Sequence, residues 1–116
     1  MVIQSKRIYE PPEAADGFRV LVDRLWPRGV KKETAVIDLW AKDITPSPDL
    51  RQAFHSGRLA WPEFAALYRQ ELLENPALDT FMQTIQDKPT LTLLFAGKDV
   101  DHTHVKVIAE VLKEKL

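Results

Sequence analysis

The stretch "PTLTLLFAGKDVDH", Pro89 to His102, decides how the rest of the chain is read. Leu91 to Ala96 is nearly continuously apolar and is bounded by Pro89 and Gly97. A half-buried strand alternates apolar and polar residues, whereas a strand covered on both faces need not. The run therefore predicts an interior strand of a layered domain. Phe18 to Asp23 has the same character in shorter form: Phe18, Val20 and Val22 face one way, and Arg19, Leu21 and Asp23 the other. These two strands are expected to be neighbours. Val2 to Ile8 begins like a strand and stops at the breaker "EPPEAADG", and Thr34 to Trp40 fits either a strand or an irregular segment.

Helices separate the strands. Ser47 is placed to cap a helix with Pro48 at its first position and Asp49 favourable to its dipole. A longer helix opens at Pro62 and runs to about Asn75, and "ALDTFMQTIQ" makes a third that ends before Pro89. The last runs from about Asp101 to Lys115, with Val105, Ile108, Ala109, Leu112 and Leu116 in one apolar stripe. Strands interleaved with helices predict an α/β fold, a small Rossmann-like layered domain with a central, mostly parallel sheet flanked by helices. The nine residues between Ile8 and Phe18 barely suffice for a right-handed crossover, which leaves open whether every strand pair is parallel.

The 116 residues fit one domain, 1–116, able to bury a core unaided. A net charge of −1 excludes a whole-protein polyelectrolyte for nucleic acid, so any basic feature has to be local. The absence of cysteine excludes disulfides, thiolate metal sites and cysteine nucleophiles. "MVIQSKRIYEPP" lacks the apolar core of a signal peptide and no run is long enough to span a membrane, so a cytoplasmic protein without membrane association is expected.

Both convincing strands end in charge: "VDRLWPRG" follows the first and "FAGKDVDH" the second. In open α/β sheets, ligands bind beyond the carboxyl ends of the strands. Trp26-Pro27-Arg28-Gly29 fits a type I turn that would hold Arg28 at a loop tip. Arg24, Arg28 and Lys98 are the candidate anion-holding groups, beside the N-terminus of the last helix. Asp23 and His104 are the candidate acid and base, with Asp99 orienting a neighbour. The plainer alternative is a strand end closed by ordinary ion pairs, with His104 a partly buried histidine making one hydrogen bond.

Three further residues are expected to support this cluster from behind. Glu71 lies on the apolar face of its helix and needs a partner, for which an arginine of the cluster is the natural choice. Arg51 and His55 are four apart and share a helix face. His102 and His104 are two apart and make a poor metal pair, so no metal is expected, and no cofactor motif such as a P-loop is present.

"VDRLWPRG", "ITPSPDLRQAFH", "WPEFAALYRQEL" and "LTLLFAGKDVDHTHVKVIAEVL" together resemble the YeaO-like bacterial proteins of domain-of-unknown-function family 488. Asp23 to Gly29 is the most specific part, and the likeness covers nearly the whole chain. The resemblance implies a Rossmann-like domain whose charged strand ends face one pocket, and it implies no established activity. Such relatives often carry Asn-His where this chain has Thr103-His104. Many also have a cysteine near the second charged strand end, and this chain has none.

These features predict a pocket for a small anionic ligand, a phosphate- or carboxylate-bearing molecule or nucleotide, with no reaction type indicated. The alternative is a nucleic-acid-binding module using Lys6, Arg7, Arg19, Arg24, Arg28, Lys31 and Lys32, with Tyr9 and Trp26 for stacking. A third reading uses Trp40 and Trp61 as anchors for a protein partner.

Overall fold

The strand at Thr90–Phe95, β4, is interior in the computed structural model, which describes Met1 to Leu116. It pairs in parallel with β1 (Val2–Arg7) on one side and β2 (Phe18–Leu21) on the other. A two-residue β3 (Leu39–Trp40) adds in parallel to β2, which gives the order β1-β4-β2-β3. The helices are α1 (Lys32–Ala35), α2 (Pro48–His55), α3 (Trp61–Glu74), α4 (Pro76–Ile85) and α5 (His104–Lys115). No helix is long and apolar enough to cross a membrane.

The sheet is wholly parallel, as the mostly parallel expectation allowed, and the first connection is no exception. The short connector after β1 does not join neighbouring strands: it passes over β4 with only a single 3-10 turn, Ala14–Asp16, and delivers the chain to β2 on the far side. Gly17 makes this possible. Its φ of 65° and ψ of −130° suit glycine alone, and a Cβ there would sit 2.6 Å from the carbonyl oxygen of Thr90. Gly17→Ala is therefore expected to destabilise the protein by about 2 kcal/mol or more, as read from chemical denaturation.

Alternation in β2 and β4 sorts the core into two faces. Val20, Val22, Leu91, Leu93 and Phe95 pack under the helices, against Phe64, Tyr68 and Leu72 of α3, Leu78, Phe81 and Ile85 of α4, and Val105, Ile108, Val111 and Leu112 of α5. Those helical residues recur every three or four positions, the spacing that lines one helix face. Each fully buried leucine contributes roughly 2 kcal/mol from apolar area alone. The opposite face holds Leu21 and Leu94 with Ile8, and Trp26, Val30, Ile37 and Trp40 pack over them.

That second face also buries charge. Arg19 and Asp16 are 2 % and 4 % exposed and form an ion pair, and Lys6 Nζ lies 3.3 Å from both Asp16 oxygens. The Arg19 guanidinium also donates to the carbonyls of Val36 (2.9 Å) and Ala35 (3.1 Å), and the Thr92 hydroxyl donates to the Asp16 carbonyl at 2.6 Å.

Two boundaries differ from the sequence expectation. The last helix begins at His104, because Thr103 is its N-cap and accepts from the Val105 N–H at 3.4 Å. Threonine, like asparagine, serves as an N-cap acceptor, although it ranks somewhat below asparagine there. Thr34 to Trp40 divides: α1 stops at Ala35, Val36 turns left-handed at φ 52°, and only Leu39 and Trp40 form a strand.

Candidate functional site

Because all four strands run the same way, their carboxyl ends open on one side. After β2 the chain turns outward to β3, and after β4 it turns back into α5, which packs on β1 and β4. The two loops diverge and leave a crevice between them, the geometry at which α/β sheets bind ligands. Here it is a cavity of about 430 Å³. Asp23, Arg24 and Arg28 line it from the β2 loop, Lys98, Asp99 and His104 from the β4 loop and α5, and Arg51 and His55 from α2. Phe54 and Phe64, stacked at 4.4 Å, form an apolar wall.

Asp23 and His104 meet. His104 Nε2 lies 2.5 Å from the Val22 carbonyl oxygen and 3.5 Å from Asp23 Oδ1, while Asp23 Oδ2 accepts from the Ala96 N–H at 2.8 Å. A carbonyl only accepts, so Nε2 carries the ring proton and the neutral ring keeps its lone pair on Nδ1. Nδ1 has no hydrogen-bond partner within the protein, and it is not among the fully buried polar atoms. Burial holds the imidazole below its ordinary pKa; the Val22 carbonyl and Asp23 oppose this, and Arg51 and His55 reinforce it. Burial also raises the Asp23 carboxyl, against the opposing pull of His104, the Ala96 N–H and Arg51. The carboxylate is braced from behind, because the Trp40 indole donates to the Asp23 carbonyl at 2.7 Å and packs edge-on against Trp26.

Asp99 is turned toward its own loop. It accepts from the N–H groups of Asp101 and His102 at 3.0 Å each and pairs with His102 Nδ1 at 3.2 Å, and the two backbone hydrogen bonds lead in holding its carboxyl below the usual range. It orients His102 and not His104. His102 lies against Trp61 at the exposed rim, and no group of three or more histidine and carboxylate side chains is placed to hold a metal.

The four cations are differently placed. Arg24, Arg28, Arg51 and Lys98 all line the cavity, and none makes a side-chain hydrogen bond or ion pair within the protein. Arg28 sits in a turn displaced by one residue from the expected one. Val30 N–H bonds to the Pro27 carbonyl at 3.4 Å, and Gly29 takes the third position with φ 77°, the left-handed conformation of a type II turn rather than type I.

Glu71 stands apart from this cluster. It accepts from the Ser47 N–H at 2.7 Å, so its partner is the backbone at the start of α2 and not an arginine. It faces a broader, more open groove of about 670 Å³ that shares Arg24 and Thr45 with the cavity and also carries Asp43 and Glu74. Arg51 and His55 line the cavity directly, whereas the sequence placed them behind it.

Apart from Arg24 and Arg28, the basic residues of the first third do not line the cavity. Lys6 and Arg19 are held by Asp16, and Arg7 donates to the carbonyls of Ala96 and Gly97. Trp40 and Trp61 are half-buried, the first bonded to Asp23 and the second packed among Phe54, Phe64 and His102.

Fold and crevice define a small, all-parallel α/β protein with a histidine-carboxylate pair at the ends of two central strands. The chain belongs to domain-of-unknown-function family 488: residues 2–116 match the model of the inactive DUF488-N3 subclade. It is 43% identical over 113 residues to the uncharacterized protein YeaO of Escherichia coli (strain K12), covering 97% of this chain and 98% of that one. It is 34% identical over 110 residues to the uncharacterized proteins Mb3100c of Mycobacterium bovis and Rv3073c of Mycobacterium tuberculosis, covering 95% of this chain and 92% of each. No solved structure matches.

Proposed function

We propose that this protein binds a small molecule bearing a phosphate or carboxylate, a nucleotide included, in the crevice between the β2 and β4 loops. The observation that carries the proposal is the four unpartnered cations on one cavity, against two carboxylates already engaged by their own surroundings. Guanidinium groups suit bidentate contacts with planar or tetrahedral oxyanions, and the Lys98 ammonium adds a point charge. The volume falls in the range of small-molecule sites, and the Phe54–Phe64 wall offers apolar surface beside the charges.

Binding without turnover agrees with the chain's own chemistry. The lining hydroxyls are committed, since Thr45 donates to the Lys42 carbonyl at 2.6 Å and Thr103 caps α5. No thiol exists. The description of the matched subclade as inactive is in keeping with this.

Calorimetric titration with inorganic phosphate, sugar phosphates and nucleoside monophosphates tests the reading. Arg28→Ala is expected to weaken phosphate binding by about tenfold, the scale of one charged hydrogen bond. The melting temperature should hardly move, because the Arg28 side chain is exposed and only its carbonyl is bonded, to the Tyr9 hydroxyl. Equal affinity in both proteins would remove Arg28 from the site.

A further inference from the structure

We propose that His104 Nδ1 is a phosphoryl acceptor, modified stoichiometrically by a small acyl phosphate that enters the crevice. The inference rests on the anion-binding reading above and adds a covalent step to it. Three observations converge on one atom. The distal nitrogen is locked as a donor to the Val22 carbonyl, which leaves the Nδ1 lone pair unshared. Nδ1 is not among the fully buried polar atoms, and its residue lines the cavity. The same cavity holds the four cations without internal partners, suited to a phosphoryl dianion.

The step balances within the site. The Nδ1 lone pair attacks phosphorus, an N–P bond forms, and the bond from phosphorus to the acyl oxygen breaks, its electron pair leaving with the carboxylate. No proton moves. The ring keeps its hydrogen on Nε2 and becomes cationic, and Asp23 Oδ1 at 3.5 Å offsets the new charge. The first turn of α5, which His104 opens, adds N–H groups on the side favourable to an anion. The other two histidines lack this arrangement. His102 is more than half exposed and paired with Asp99 at the rim, and His55 has no hydrogen bond fixing its tautomer.

The test incubates the full chain with acetyl phosphate, follows intact mass, and locates any adduct among the three histidines by tandem mass spectrometry under alkaline conditions. In parallel, binding of inorganic phosphate is measured by calorimetry. The expected result is a single acid-labile, base-stable phosphoryl adduct on His104, slowed about tenfold or more in Asp23→Asn and absent in His104→Gln. Site mapping on the unmutated chain keeps the test decisive even if a variant fails to fold. No adduct, or one on His55 or His102, in a protein that binds phosphate would overturn the covalent step alone. No adduct and no phosphate binding would overturn the anion-site reading with it.

Discussion

Asp16→Ala is expected to lower the stability of the folded protein by about 3–5 kcal/mol, the scale of removing one partner from a buried ion pair. Arg19 would remain 2 % exposed with no counter-charge, still tied to the Val36 and Ala35 carbonyls. Lys6 would lose two contacts at 3.3 Å. For a domain of this size the loss is a large part of total stability. Urea denaturation of both proteins measures it, and a difference under about 1 kcal/mol would show that the cluster contributes little.

The same carboxylate fixes a sign for pH dependence. Burial alone would raise the Asp16 pKa, but the Glu13 N–H, Lys6 and Arg19 outweigh it and hold the group below its ordinary value. A carboxyl depressed on folding contributes stability that is complete above the unfolded value, near pH 4, and is lost as pH falls through the folded one. The gap between wild type and Asp16→Ala should therefore narrow on acidification below about pH 4 and stay constant from about pH 5 to neutrality.

Arg51→Glu carries the largest expected effect on binding. Arg51 lines the cavity from α2, is exposed, and adds to burial in lowering the pKa values of both His55 and His104. Reversing its charge removes one attraction to an oxyanion and adds one repulsion, together about 3 kcal/mol, or on the order of a hundredfold in phosphate affinity. Stability should change by no more than about 0.5 kcal/mol, since no internal contact is lost. Arg58→Glu is the control for net charge: Arg58 bonds only to Ser56 at 3.2 Å and does not line the cavity. If both reversals weaken binding equally in calorimetry, the effect is one of overall charge and not of the crevice.

Much of this architecture is legible in the residues. The apolar run at Leu91 to Ala96 implies a strand covered on both faces, and the parallel sheet then carries the charged ends of β2 and β4 to the same side. That is why Asp23 and His104, far apart in the chain, come within 3.5 Å. The position of Arg51 was less accessible. Its spacing from His55 shows that the two share a helix face, but only the packing of α2 on α3 decides that this face looks into the crevice. Alternation in β2 already places Arg19 on the side of Leu21, a signal for burial that its charge obscures. Its partner Asp16 comes from a connector whose path over β4 depends on Gly17, and no periodicity encodes that path. Glu71 illustrates the same limit. A carboxylate on an apolar helix face requires a partner, but the requirement does not distinguish a guanidinium from the free N–H groups at a helix start.

A phosphate titration followed by amide chemical shifts in NMR tests the central claim most directly, because it reports where an anion binds as well as whether it does. Saturable shifts are expected in the β2 loop from Asp23 to Gly29, in the β4 loop from Ala96 to His104, and around Arg51 and His55 on α2. Nucleoside monophosphates should move the same amides and add shifts at Phe54 and Phe64, which wall the cavity. Shifts confined to other basic surface, such as Lys113 and Lys115 at the end of α5, or no saturable shift from phosphate or any nucleotide, would contradict an anion site at the strand ends.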